Sequence, residues 1–275
     1  MPHLAQAGWL TTGSNTPVVK SEIKYLLTAL MFFTRVPVYS GAAQDKQSLN
    51  QALKYFPLIG WLVGGFCAVV FYLGLQIWPA AVAIIISMLA GILITGAMHE
   101  DGLADCCDAF GGGWDQQQVL AIMKDPRIGA YGAIGLILVL LCKAIVLIEL
   151  ASVSVGLTIA TLMITHSASR FLVLPIIFKL DYVQALSQSK SRPMVEKRLG
   201  LPMLLYGAGF VIIPLWIFDD MSITLAVLIG AISAAAMGYY FYRRIGGYSG
   251  DCLGAIQQIS EIVIYLSILG LWTSV

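Results

Sequence analysis

The sequence predicts an all-α fold, a polytopic integral membrane helical bundle, and three observations carry that prediction. Apolar and aromatic residues fill 59% of the 275 positions and Asp, Glu, Lys and Arg only 11%, whereas a soluble domain carries about 25% charged residues. Mean hydropathy is +0.84. Apolar windows long enough to cross a hydrocarbon core, about 17 to 25 residues, recur along most of the chain. In lipid the backbone must satisfy its own hydrogen bonds, and the helix does so within one segment.

The apolar windows run over 23–38, 55–78, 80–98, 130–150, 155–178, 201–218, 221–242 and 253–274. The first is short and holds Arg35 ahead of Pro37, so it reads as a tilted, re-entrant or interfacial helix. That leaves about seven spans plus a short N-terminal apolar helix. Residues 1–22 read as a flexible extension without the apolar core of a secretory signal. Residues 23–275 read as a single transmembrane domain without a short repeat. A formal net charge of +1 gives no footing for nucleic acid. The five cysteines have no metal-ligand spacing, and Cys106 and Cys107 are adjacent; they read as small apolar packing residues.

The few charges are unevenly placed. If the chain alternates sides from residue 55, the loops 39–54, 99–129, 179–200 and 243–252 share one side and hold eleven of the sixteen Lys and Arg, while the opposite loops hold only Asp219 and Asp220. By the positive-inside rule the basic side faces the cytoplasm, which predicts a cytoplasmic (inner) membrane protein.

On that side lies His99-Glu100-Asp101-Gly102-Leu103-Ala104-Asp105-Cys106-Cys107-Asp108. At about 100° per residue, Asp101, Asp105 and Asp108 fall within about 60° of one helix face. Carboxylates so close to a low-dielectric boundary repel one another unless a cation joins them. Oxygen-only ligation favours a hard ion, Mg²⁺ above all where substrate phosphates complete the sphere. A solvated acidic face is the competing explanation. His99 and Glu100, off that arc, are candidate proton acceptors; an interfacial histidine bonded to a carbonyl has the same sequence signature.

Lys124, Asp125 and Arg127 lead into the next span, where the two cations suit a diphosphate or simply anchor the interface. Lys143, Arg170 and Glu261 fall inside spans, where a charge needs a polar cavity or a partner; they are candidate substrate- or phosphate-binding groups, with mutual pairing or snorkelling as the competing explanation. Gly247, Ser249, Gly250 and Asp251 open the last span, as a loop that presents N–H groups to phosphate or as an ordinary helix start with Asp251 as its cap.

Assembled, these residues resemble the cobalamin synthase family, membrane enzymes also called adenosylcobinamide-GDP ribazoletransferases. The resemblance spans roughly residues 23–270. It rests on Phe33-Thr34-Arg35-Val36-Pro37-Val38, Tyr55-Phe56-Pro57-Leu58-Ile59-Gly60, the acidic block from Thr95 to Gly113, Met123-Lys124-Asp125-Pro126-Arg127-Ile128-Gly129, Ser169-Arg170, and the block from Gly246 to Ala255. Pro126 stands where the family usually has Ser, and Ser249 where it usually has Thr. The resemblance implies that the 3′-hydroxyl of α-ribazole, or of its 5′-phosphate, attacks the cobinamide-side phosphorus of adenosylcobinamide-GDP and GMP leaves. It implies Asp101, Asp105 and Asp108 as holders of one or two Mg²⁺ ions. His99, Glu100 or one of those aspartates would accept the proton. Lys124, Arg127 and Arg170 would stabilise oxygens that gain charge, and the wall formed by Gly247, Ser249, Gly250 and Asp251 would lie opposite. The partners so implied are the two substrates and the lipid bilayer, with an oligomer compatible. Another Mg²⁺-dependent membrane phosphotransferase or prenyltransferase acting on a diphosphate, or a cation transporter, are the alternative readings.

Overall fold

The computed structural model describes residues 18–38, 46–183 and 199–273. Their helices are α1 (Val18–Phe33), α2 (Lys46–Ala52), α3 (Phe56–Gly74), α4 (Ala80–Thr95), α5 (Met98–Gly112) and α6 (Gln116–Ile122). These are followed by α7 (Ala130–Val153), α8 (Val155–Phe171), α9 (Leu174–Lys179), α10 (Leu201–Phe218), α11 (Met221–Ile245) and α12 (Gly250–Thr273). A one-turn 3₁₀ segment, Leu53–Tyr55, joins α2 to α3. Tyr182 and Tyr248 form a parallel β-bridge. The N-terminal extension falls mostly outside the described residues, as do Lys190, Arg192, Lys197 and Arg198 of the basic loops.

Six helices or joined helices are long and apolar enough to cross a membrane, and α4 with α5 makes a seventh if that pair counts as one span. This agrees with the predicted all-α bundle. The pair is bent by 89°. At about 1.5 Å per residue α4 reaches only about 24 Å, short of a full hydrocarbon core. It stops because Gly96 and Ala97 both take left-handed backbone, at φ 70° and 58°. For alanine that conformation costs about 1 kcal/mol. The turn is held from α1's end: the Arg35 N–H donates to the Ile94 carbonyl at 2.7 Å. The Arg35 guanidinium lies where a side chain on Gly96 would be. The N-terminal apolar stretch thus forms a short helix whose C-terminal Thr34-Arg35 braces the corner between α4 and α5.

Burial separates an inner from an outer set of helices. The apolar windows of α8–α9 and α12 are 78% and 72% buried, those of α7, α10 and α11 only 28%, 17% and 33%. The outer helices therefore present Leu, Ile and Val to lipid, such as Ile137, Ile212 and Ile232. The inner ones approach their neighbours through small residues, as membrane helices do where backbone contact replaces the hydrophobic effect. Gly60 and Gly64 of α3 lie against the backbone of α8 at His166 and Leu162. Gly102 of α5 lies against Asp251 of α12, where a Cβ would come 2.9 Å from the Asp251 carbonyl oxygen. Gly254 of α12 meets the His99 backbone in the same way.

Candidate active site

The bend at Gly96-Ala97 turns α5 across the end of α4, and its glycine contact with α12 then brings two distant blocks of sequence together. Asp101 is exposed, and Asp105 and Asp251 are half-buried beside it. The charges that repel Asp105 most are Asp251, then Asp101, then Asp108. Among the described residues no Lys or Arg forms an ion pair with Asp101, Asp105 or Asp251. The mouth of the bundle is thus a patch of mutually repelling carboxylates from two helices.

Asp108 has a different local role. Its carboxylate accepts from the N–H groups of Gly129 at 2.7 Å and Gly132 at 2.8 Å, donors at the start of α7 that have no partner within their own helix. A side chain at either glycine would occupy the place of that carboxylate. Asp108 therefore stands on the predicted helix face but is engaged by α7.

Among the described residues no three His, Cys, Asp or Glu side chains converge to ligate one ion. The donor set still suits Mg²⁺, which takes one or two carboxylates and fills its sphere with water and substrate phosphate oxygens rather than an all-protein cage. Unpaired, oxygen-only Asp101, Asp105 and Asp251 fit that description.

The glycine loop before α12 is organised by its backbone. Val183 N–H donates to Tyr248 O at 2.8 Å and Tyr248 N–H to Asp181 O at 3.1 Å. Gly247 lies against the Asp181 carbonyl with no room for a side chain. The helix cap is Ser249, whose Oγ accepts from Cys252 N–H at 3.2 Å. Asp251, two residues further on, faces α5.

At the edge of the mouth Asp125 and Arg127 hold each other. Arg127 donates Nε to Oδ1 at 2.8 Å and Nη2 to Oδ2 at 2.5 Å, and its backbone N–H donates to Oδ1 at 3.1 Å. The Arg127 guanidinium pulls the Asp125 carboxyl down to about 2. Lys124 is exposed beside them.

Inward of the mouth lies a second, buried set. Lys143 of α7 pairs with Glu261 of α12, both buried. The other Glu261 oxygen accepts from Gln257 Nε2 at 2.5 Å and lies 3.4 Å from His166 Nδ1. Arg170 of α8 donates to the His166 carbonyl at 2.9 Å, contacts His166 Nδ1 at 3.1 Å and lies over the Phe56 ring. Gln257 also donates to Ser169 Oγ at 3.0 Å. Gln258 donates to Gln257 Oε1 at 2.9 Å and to Glu100 Oε1 at 3.1 Å. His99 stacks on Phe56. His99, Glu100, Lys143, His166, Arg170, Gln258 and Glu261 line one cavity, walled on its apolar side by Val63, Leu147 and Leu162. Three of its buried atoms, His99 Nε2, Glu100 Oε2 and Arg170 Nε, have no hydrogen-bond partner.

The structure therefore groups Asp101, Asp105 and Asp251 at the mouth, and Lys143, Arg170 and Glu261 with Glu100 inside. His166, Gln257 and Gln258 were not singled out by the sequence reading. The available signal was their polarity within apolar spans, where a side-chain amide or imidazole needs a partner from another helix.

A family model described as cobalamin-5-phosphate synthase matches residues 25–269. The adenosylcobinamide-GDP ribazoletransferase of Shewanella frigidimarina is 42% identical over 262 residues, covering 93% of this chain and all of that protein. The enzyme of the same name from Ralstonia pickettii is 44% identical over 250 residues, 90% of this chain and 96% of its own. No solved structure matches. The acidic block of α5 and the glycine block before α12, far apart in sequence and joined at one mouth, lie inside the matched region, and the chain belongs to the cobalamin-5-phosphate synthase family.

Proposed function

We propose that the chain is an adenosylcobinamide-GDP ribazoletransferase, joining the adenosylcobinamide phosphate moiety to α-ribazole or its 5′-phosphate with release of GMP. The observation that supports it best is the meeting of Asp101 and Asp105 with Asp251 across the Gly102 contact. In this reaction the ribazole 3′-hydroxyl forms a new P–O bond to the cobinamide-side phosphorus, the diphosphate P–O bond breaks, and the electron pair leaves with GMP. Such chemistry is chiefly positioning and charge stabilisation.

Asp101, Asp105 and Asp251 would hold Mg²⁺, which would supply positive charge to the diphosphate oxygens. Asp108 fixes the start of α7 and so shapes the same wall. Lys124 and Arg127 stand at the mouth as the cations for phosphate. Glu100 and His99, directly before Asp101 and buried, each keep one unpartnered polar atom, which makes them, with the mouth aspartates, the groups available to take the hydroxyl proton. Arg170, Lys143 and Glu261 support that inner wall.

The decisive measurement is single-turnover release of GMP from adenosylcobinamide-GDP by the purified protein. Release should require α-ribazole or its phosphate, stop in EDTA and return with Mg²⁺. GMP release without a ribazole acceptor, or none with both substrates present, would overturn the reading. The site faces the cytoplasm in this proposal, in line with the basic loops. A single cysteine at residue 116 should then be shielded from an impermeant thiol reagent in intact cells, and one at residue 220 labelled; the reverse pattern would invert the topology.

A further inference from the structure

We infer that Gln257 and Gln258 are positioning residues, which tie the carboxylate-bearing helix α5 to the buried ion pair of the bundle and so fix where Asp101 and Asp105 stand. The inference rests on the function proposed above for the chemistry at the mouth, but its geometry does not.

Helix α5 is joined to α4 through the two left-handed residues Gly96 and Ala97, so its rotation about its own axis is set by what its side chains grip. The contact of Gly102 and Gly254 with α12 brings the helices close, yet a glycine surface offers no directional bond. Beside a weak thiol contact of Cys106 with Cys252 of α12 and the Arg244 bond to the Gly113 carbonyl at the end of α5, the carboxylates of α5 make two directional ties among the described residues. One runs from α5 to α7, from Asp108 to the N–H groups of Gly129 and Gly132. The other runs from α5 to α12, from Glu100 Oε1 to Gln258 Nε2 at 3.1 Å. The triangle closes on its third side with the Lys143–Glu261 pair between α7 and α12. Gln257 joins two of these sides, since its Oε1 accepts from Gln258 and its Nε2 donates to Glu261 and to Ser169 of α8. Both glutamines are buried, Gln257 at 0% and Gln258 at 3% exposure. Each amide N–H₂ has two acceptors, so neither amide can turn without stranding a buried polar group.

The consequence for α5 follows from helix geometry. With Glu100 drawn inward, Asp101, Asp105 and Asp108 lie about 100°, 140° and 80° round the axis from it. The grip on Glu100 therefore aims Asp101 and Asp105 away from the core and along the mouth, while Asp108 turns to the start of α7. A site of this kind tolerates about 0.5 Å of displacement before its chemistry suffers. Removing Gln258's amide frees the helix to rotate while the hydrophobic packing stays.

The test is Gln258→Met, nearly the same volume with no donor, beside Gln257→Met and the double variant. Three quantities are read on detergent-purified protein: melting temperature, steady-state GMP release, and Mn²⁺ binding by electron paramagnetic resonance without substrates. For Gln258→Met the melting temperature should stay within a few degrees of wild type and kcat should fall by about ten- to a hundredfold with KM within about threefold. Mn²⁺ affinity should weaken by about tenfold. The double variant should lose little more than the worse single one, because the two amides act in one chain. Wild-type kcat and Mn²⁺ affinity in a folded Gln258→Met protein would overturn the inference. Losses that track melting temperature and add in the double variant would do so too. If Gln258→Met does not fold, Gln257→Met carries the same test. Absence of GMP transfer in wild type, with Mn²⁺ binding still weakened in the variants, would sink the proposed reaction and leave the positioning role standing.

Discussion

The mouth and the interior of this bundle are both rich in charge, yet they treat it in opposite ways. At the mouth Asp101, Asp105 and Asp251 face one another without an ion-pair partner among the described residues. Inside, Lys143 is matched by Glu261, and Gln257 and His166 surround the remaining carboxylate oxygen. A buried ion pair is retained only when its geometry offsets desolvation, and removing one partner costs about 3 to 5 kcal/mol. Mutually repelling carboxylates at a wet boundary give no stability of their own. In the proposed function the interior charges are scaffold and the mouth charges face the ligand, whereas the sequence pattern made Lys143, Arg170 and Glu261 candidate substrate groups and Asp101 and Asp105 candidate metal holders. Substitutions can break that contrast in either place.

The largest effect is expected for Asp101→Asn and Asp105→Asn. Each should lower GMP release by about a hundredfold or more, the scale of losing one positioned electrostatic group. Each should leave the melting temperature unchanged or slightly higher, because a repelling charge has gone. Mn²⁺ binding should weaken in both. Wild-type turnover in either variant would remove that aspartate from the site, and a sharp drop in melting temperature would make it scaffold like Glu261.

A middle-sized effect separates Asp251 from its neighbour. Because Ser249 already caps α12, Ser249→Ala should cost about 1 kcal/mol of stability while turnover changes by less than about threefold. Asp251→Asn should do the reverse, with stability kept and turnover down by about ten- to a hundredfold. Measuring thermal melting and single-turnover rate on both proteins checks this. Equal behaviour of the two would return Asp251 to the start of the helix as a structural residue.

How much of this was legible beforehand depends on the distance over which the partner lies. The spans over 201–218 and 221–242 were readable because lipid-facing helices are apolar all round, and α10 and α11 start and stop close to those limits. The acidic face of α5 was readable too, since helical register is a local property. The corner at Gly96-Ala97 was only half legible: glycine marks a helix end, but a left-handed alanine carries no signal and is held by Arg35 some 60 residues earlier. Asp108 was placed on the right face while its grip on Gly129 and Gly132 was not foreseen, because a lone glycine at a helix start has many causes. Lys143, Arg170 and Glu261 stood out as charges in lipid-length segments. Gln257 and Gln258 did not, since an amide in a span is cheaper than a charge and becomes informative only when its partner on α5 is known.

The smallest expected effect tests the rim, where a cation proposed for phosphate is already engaged. Arg127 is bound through two of its nitrogens by Asp125, and both lie near the surface. The Asp125 carboxyl is held at about 2 against an ordinary 3.8, so the pair is fully ionised at any pH above about 4 and its contribution is lost as pH falls through 2. In a neutral assay Arg127 thus meets substrate as half of a neutral pair. A diphosphate must draw the guanidinium away from Asp125, at little cost because water screens the attraction of an exposed pair. Asp125→Asn frees the guanidinium and removes a nearby negative charge, so KM for adenosylcobinamide-GDP should fall by about two- to threefold with kcat unchanged. Arg127→Ala should raise KM in the wild-type background, and in the Asp125→Asn background by more, because there the cation meets substrate unmasked. Lowering ionic strength should widen the gap between the two backgrounds. If Asp125→Asn instead lowers kcat with KM unchanged, Asp125 acts in the reaction itself and the rim belongs with the mouth.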